Sequence, residues 1–154
     1  MKILKPTAYY EPEQFSSSHL NNDLEKAFVD AGFEYAIVAP TPSRGVSEEI
    51  KKEYKRKLYE EKYDGKVKIY RIPIMDEKGN AIFRAFRYVL LCWKQYLRCI
   101  KEKGVSVVYA ASTPPIQGMM AAKIAKKLKV LFIYNLQDVF PDSLVNAGMA
   151  KKGS

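Results

Sequence analysis

Val130-Leu-Phe-Ile-Tyr-Asn-Leu-Gln-Asp-Val-Phe-Pro-Asp-Ser143 is the stretch that decides how this chain folds. Its first half is β-branched and aromatic and carries no charge, as suits a parallel strand covered on both faces. Its second half turns polar and acidic and puts Gln137 and Asp138 just past the carboxyl end of that strand. In open α/β sheets that edge is where ligands bind. A helix cap is the plain alternative for Asp138. Asp142 and Ser143, flanking Pro141, already offer cap chemistry, which leaves Gln137 and Asp138 without a structural duty.

Upstream of this stretch, strand and helix patterns alternate. Lys2 to Leu4 reads as a first strand, and a loop through Tyr9, Tyr10, Pro12 and Glu13 leads to Ser16, Ser17 and Ser18. A helix follows, with Leu20, Leu24, Ala27, Phe28 and Ala31 at three- and four-residue steps and Gly32 where a left-handed cap belongs. Tyr35 to Ala39 is the second strand, closed by Pro40 and Pro42. Val46, Ile50, Tyr54 and Leu58 recur every fourth residue through a lysine-rich segment and predict a basic amphipathic helix. Val67 to Ile74 gives a third strand, and Asp76 to Asn80 a turn. A long helix from about Ala81 to Lys103 is closed by Gly104. Val105 to Ala110 is a further strand, Ile116 to Leu128 a further helix, and Leu144 to Ala150 starts another. Successive βα units imply one parallel sheet covered by helices on both faces.

The 154 residues are 47% hydrophobic, enough for one core in a single domain and too apolar for a disordered chain. Lysine and arginine total 26 against 17 acids, a net charge of +9, which attracts phosphates, anionic lipid heads or nucleic acid. The amino terminus holds no apolar run of signal-peptide length, and the apolar cluster from Tyr88 to Trp93 is too short to span a bilayer, so the expected location is the cytoplasm. Cys92 and Cys99 lie about 10 Å apart along one helix, too far for a mutual disulfide, and read as buried thiols. His19 has no partners at metal-ligand spacing, so no metal is expected.

The pairing of Ala110-Ala-Ser-Thr-Pro-Pro-Ile-Gln-Gly118 with Tyr134-Asn-Leu-Gln-Asp-Val-Phe-Pro-Asp-Ser143, behind an amino-terminal Tyr9-Tyr-Glu-Pro-Glu13 loop, resembles the amino-terminal half of bacterial GT-B glycosyltransferases. The subgroup it resembles builds capsule, O-antigen and exopolysaccharide units. The resemblance implies an enzyme of two Rossmann-like halves facing across a cleft, with residues 1–154 forming the acceptor-side half. The donor-binding carboxyl-terminal domain is then expected beyond Ser154. It also implies a nucleotide-sugar as co-substrate without a further cofactor, a lipid-linked saccharide acceptor, and retention of anomeric configuration.

Carried over position by position, the resemblance makes Asp138 the candidate catalytic residue. It would position an acceptor hydroxyl or take its proton. In retaining transfer the departing phosphate can itself accept that proton. Gln137, Ser112, Thr113 and His19 are the acceptor-binding candidates. Ser112 and Thr113, ahead of Pro114 and Pro115, either donate hydrogen bonds to a ligand or simply form the turn that starts the next helix. Ser17 and Ser18 stand near the position where many relatives have glycines against the donor phosphates. They either bind phosphate at the helix start or cap it.

In the long helix Phe83, Phe86, Leu90, Trp93, Leu97 and Ile100 form an apolar stripe, expected to pack on the sheet. Arg84, Arg87, Lys94, Arg98 and Lys101 form a basic one; such a helix could lie on anionic lipid, but the simpler expectation is a sheet-packing helix with a solvated charged face. Contact with an anionic membrane surface is assigned instead to Lys51, Lys52, Lys55, Arg56 and Lys57, which mix with Tyr54, Leu58, Tyr59 and Tyr63. That contact would make the protein peripheral at the inner face of the cytoplasmic membrane. The alternative function is a basic α/β phosphate- or nucleic-acid-binding module without catalysis. The chain carries no recognised nucleic-acid motif and its basic residues spread over several elements, so a nucleic-acid partner is not expected.

Overall fold

A computed structural model describes residues 1–13, 18–76, 81–112 and 114–136, with only the backbone of Ser18, Ala81 and Pro115. In chain order it contains β1 (Lys2–Pro6), α1 (Ser18–Asp30), β2 (Glu34–Pro40), α2 (Glu48–Tyr54), β3 (Tyr59–Lys62), β4 (Val67–Ile72), α3 (Ala81–Cys99), β5 (Val105–Ala111), α4 (Pro115–Leu128) and β6 (Leu131–Asn135). The strands form one six-stranded sheet in the order β3-β4-β2-β1-β5-β6. All neighbouring pairs are parallel except β3 with β4. This is a Rossmann-like α/β arrangement with helices on both faces.

The central strands are apolar on both sides because both sides are covered. Leu4, Ala36, Val38, Val108 and Ala110 point to the face on which Leu91 and Cys92 of α3 and Ala121 and Ile124 of α4 pack. Ile3, Tyr35, Ile37, Val67, Ile69, Val107 and Tyr109 form the opposite face, under Leu24, Phe28 and Val29 of α1. Cys92 and Cys99 are buried free thiols. Gly32 and Gly104 have φ of 82° and 72°. Each follows a helix in the left-handed conformation that only glycine adopts without strain.

Several expectations need correction. The basic amphipathic helix stops at Tyr54, and the residues after it form β3, an antiparallel edge strand, so the sheet is mixed. Tyr63, Asp64 and Gly65, all at positive φ, reverse the chain between β3 and β4. Asp64-Gly65 is a hairpin signal that the run of lysines masks. Leu20 and Ala27 of the expected α1 stripe are exposed, while Glu25 and Val29 face inward.

The inner face of α3 is turned from the expected one without an exchange of the two stripes: of the basic stripe only Arg87 is buried, and Arg84 and Lys101 stay exposed. Phe86, Trp93 and Leu97 are exposed, whereas Arg87 and Gln95 are buried at 1% and 0% exposure beside Leu91 and Cys99. The cause is hydrogen bonding. Arg87 and Gln95 satisfy groups that a purely apolar face would leave unpaired. The strand from Val130 begins at Leu131 and is covered on one face alone. Phe132 packs toward α4, while Leu131 and Ile133 are 76% and 51% exposed on the other side, where no described element lies over β6.

Candidate functional site

The chain leaves β1 for β2 on one side of the sheet and returns through β5 on the other, so the strand order reverses at the β1–β5 boundary. In open α/β sheets the crevice at the carboxyl ends of such strands is the ligand site. Register fixes which residues emerge there. Ala111 lies beside Asn135 and the Ser112 amide donates to the Asn135 carbonyl at 3.0 Å, so the chain departs from β5 and β6 side by side along one rim. Pro6 pairs with Val38, and the Thr7 amide donates to the Val38 carbonyl at 3.0 Å, so the loop after β1 starts at the same edge.

That loop is held by the Gln95 side chain of α3 and by its own Glu13. The Gln95 amide of α3 donates to the carbonyls of Thr7 at 2.7 Å and Val38 at 2.8 Å, and its oxygen accepts from the Gln117 amide of α4 at 3.0 Å. The Cys92 thiol in turn donates to the Gln117 oxygen. Burial leaves that thiol to be deprotonated only near pH 11. Glu13 accepts from the Ser43 and Arg44 amides at 2.7 and 2.9 Å, which ties the loop after β1 to the loop after β2. Arg87 donates to the Ser43 hydroxyl and to the Met75 carbonyl, both at 2.9 Å, which adds the loop after β4. One Glu13 oxygen, Oε2, and one Arg87 nitrogen, Nη1, are buried and have no hydrogen-bond partner among the described residues.

Beside the rim, on the α1 side, lies a cavity of about 350 Å³ bordered by the Tyr10–Glu13 loop, Tyr54, Glu60, Lys62 and Arg71. The buried Arg71 guanidinium lies 5.1 Å from the Tyr10 ring centre and 4.8 Å from that of Tyr54. It donates to Glu60 Oε1 from Nε at 2.9 Å and from Nη2 at 2.5 Å, and also to the Glu11 carbonyl. Lys62 donates to Glu11 at 2.6 Å. Burial works against ionisation of Glu11 and Glu60, but hydrogen bonds from Lys62 and Arg71 outweigh it and hold both carboxyls below their ordinary range. The cavity is thus bordered by carboxylates and cations paired with one another and by Tyr10 and Tyr54, whose ring faces carry Arg71.

A second polar cluster lies under α1. Lys5 on β1 is buried and donates to the Asn21 side chain at 2.5 Å, with the Tyr35 and Tyr109 rings 6.0 and 5.7 Å away. Burial lowers its ammonium to about 8 despite the nearby Glu25 carboxylate. The Tyr109 hydroxyl accepts from the Asn135 side chain at 2.8 Å, so β6 is linked to this cluster near the rim.

Asp138, Gln137, Thr113 and Ser17 lie outside the described residues. Ser18 opens α1 and His19, next to it, is exposed. Ser112 stands at the rim but is 2% exposed, with its hydroxyl enclosed. Of the basic residues assigned to a membrane, Lys51 is paired with Glu48 at 2.6 Å and Lys57 with Glu60 at 3.3 Å. Lys52, Lys55 and Arg56 are exposed around an open concavity; of the apolar residues expected with them Tyr54 is buried against Arg71, while Leu58, Tyr59 and Tyr63 are exposed. The sequence reading missed Glu11 and Glu13 as site residues, together with Glu60, Lys62 and Arg71. The Asp64-Gly65 hairpin, which brings Glu60 opposite Ile69 and so near Arg71, was the available signal.

No family model matches the chain, and no curated protein matches it. Among solved structures, it is similar to the carboxyl-terminal domain, residues 83–215, of a hydrogenase from Pyrococcus furiosus. The TM-score is 0.53 and the identity 16%, over 87% of this chain and 90% of that one. A likeness at that identity shows the shared α/β fold and carries no chemistry with it. Among the described residues no helix is long and apolar enough to cross a membrane.

Proposed function

We propose that this chain is the acceptor-side half of a retaining GT-B glycosyltransferase that moves a sugar from a nucleotide-sugar to a lipid-linked saccharide in surface polysaccharide synthesis. The observation that carries the reading is the pairing of Ala111 with Asn135. The two strands whose ends continue into Ser112-Thr113-Pro114-Pro115 and Gln137-Asp138 leave the sheet together, at the edge from which the Tyr9–Glu13 loop also departs. Ser112 and Asn135, near which two of the stretches that resemble the family leave the sheet, and the start of the loop after β1 thus lie at one edge. The polar cavity beside it is bordered by Tyr10, Glu11, Glu60 and Arg71.

In this reading the second domain holds most of the nucleotide-sugar. Asp138 orients the acceptor hydroxyl, the sugar's bond to phosphate breaks, and the glycosidic bond forms on the same face while the departing phosphate takes the proton. The test uses the full-length protein with a panel of nucleotide-sugars and a polyprenyl-diphosphate-linked acceptor. Transfer is expected, and Asp138→Ala is expected to lower turnover about a hundredfold with an unchanged circular dichroism spectrum. Unchanged turnover removes Asp138 from the site. A protein that transfers no sugar from any donor removes the reading itself.

A further inference from the structure

The outward side of α3 is apolar. Ile82, Phe86, Val89, Trp93 and Leu97 follow steps of four, three, four and four residues, and are 80%, 57%, 53%, 59% and 38% exposed. Five such side chains on one helical face extend over about 22 Å. They lie opposite Leu91 and Gln95, the side that packs on the sheet. Alongside, on α4, Met119 is exposed at 57%, and an open groove of about 310 Å³ between the helices is bordered by Val89, Trp93, Met119 and Lys123.

The charge of this layer is one-sided. Neither α3, of 19 residues, nor α4, of 14, contains an aspartate or glutamate, and together they carry seven lysines and arginines. Arg87 is buried and Arg98 is paired with Glu102 at 3.1 Å. Lys123 and Lys126 are exposed on the ridge of Met119, and Lys101 is exposed just past the end of α3. An apolar stripe with an aromatic centre, bordered by unopposed cations, has the makeup of a helix that lies in the interface of an anionic membrane. A second copy of this chain would bring like charge against like.

We propose that the α3–α4 face docks on the surface of an anionic lipid bilayer, with Trp93 and Phe86 entering the headgroup boundary and Lys101, Lys123 and Lys126 meeting lipid phosphates. This places the membrane surface on α3 and α4 and not on the Lys51–Lys57 segment. It does not depend on the chain's role in sugar transfer.

Trp93 is the single tryptophan of the chain, so its emission reads the contact directly. With the purified protein at low salt, phosphatidylglycerol–phosphatidylcholine vesicles are expected to sediment it and to shift Trp93 emission to shorter wavelength. Phosphatidylcholine vesicles alone should do so weakly. Phe86→Glu is expected to reduce partitioning about tenfold or more, and each of Lys123→Gln and Lys126→Gln about fivefold. Both sets are at exposed positions, and circular dichroism verifies that the variants remain folded. The combined Lys52→Gln, Lys55→Gln and Arg56→Gln variant should bind as the unaltered chain does. Absence of binding to the anionic vesicles overturns the proposal. So does binding with unchanged Trp93 emission, or binding lost in the Lys52, Lys55 and Arg56 variant and retained in Phe86→Glu. A concentration-dependent dimer that Phe86→Glu dissolves, in protein that ignores vesicles, would give the face to a second copy and equally overturn it.

Discussion

Replacing Gln95 by leucine tests the polar packing of the inner face of α3. The side chain is fully buried and makes three hydrogen bonds, donating to the carbonyls of Thr7 and Val38 and accepting from Gln117. Leucine has nearly the same volume and makes none of them. The Val38 carbonyl keeps the Thr7 amide as a donor, at 3.0 Å, so two groups are stranded: the Thr7 carbonyl and the Gln117 amide. Each costs about 1–3 kcal/mol when left buried and unpaired, and the added apolar contact returns about 1 kcal/mol. The expected loss is about 1–5 kcal/mol, or about 3–15 °C in Tm for a domain of this length, read from urea and thermal unfolding. In the double variant with Gln117→Leu neither the Gln117 amide nor the Gln95 oxygen, each stranded in one single variant, exists, so it should fall short of the sum by at least about 2 kcal/mol. If Gln95 instead faced solvent, the leucine variant would lie within about 0.5 kcal/mol of the original protein. That result would refute the packing of α3 and, with it, the anchoring of the loop after β1.

The remaining expectations concern a buried amine and a close approach. In the folded chain Lys5 gives up its proton at about 8, and in the unfolded chain near its ordinary 10.5, so between these values the unfolded state binds one proton more and stability gains with rising pH. Burial raises the Cys92 and Cys99 thiols, which oppose this above about pH 9, so the readout is a difference. Relative to Lys5→Met, the unaltered protein should gain stability from pH 8 to 10 by up to about 1.4 kcal/mol per pH unit, and a difference independent of pH would contradict a buried Lys5. A Cβ at Gly118 would come within 2.5 Å of the Tyr134 ring, so Gly118→Ala should lose about 1 kcal/mol. With Tyr134→Ala in place the same change should gain up to about 1 kcal/mol, because alanine favours the helix. Equal signs in the two backgrounds, measured by urea midpoints, would exclude the contact.

The alternation of strands and helices was legible because β1, β2 and β5 are covered on both sides and therefore read as short apolar runs. The shared carboxyl edge of β1, β2, β4, β5 and β6 followed from it, since every parallel strand ends on the same side. The orientation of α3 was not legible. The helix carries apolar residues on two faces, and what selects the inner one is the need of the Thr7, Val38 and Met75 carbonyls for donors, which local periodicity does not express. The Lys51–Lys62 segment was misread because the every-fourth-residue pattern runs on past Tyr54, where the chain has already turned toward β3. Glu60 and Arg71 meet only through the pairing of β3 with β4, and Glu13 meets Ser43 only once β1 and β2 are adjacent. Such convergence belongs to tertiary structure.

The Gln95 bridge also has a consequence for the order of assembly. Its two acceptors precede it by 88 and 57 positions, and its donor follows by 22. During synthesis the turn after the first strand therefore waits, with Thr7 still wet, until the third helix has emerged and settled, and the last tie forms only after the fourth. Early fragments can own a partial sheet but no finished carboxyl edge. Changes that slow the docking of α3 should thus delay the ordering of the loop after β1 without delaying the first β-pairings.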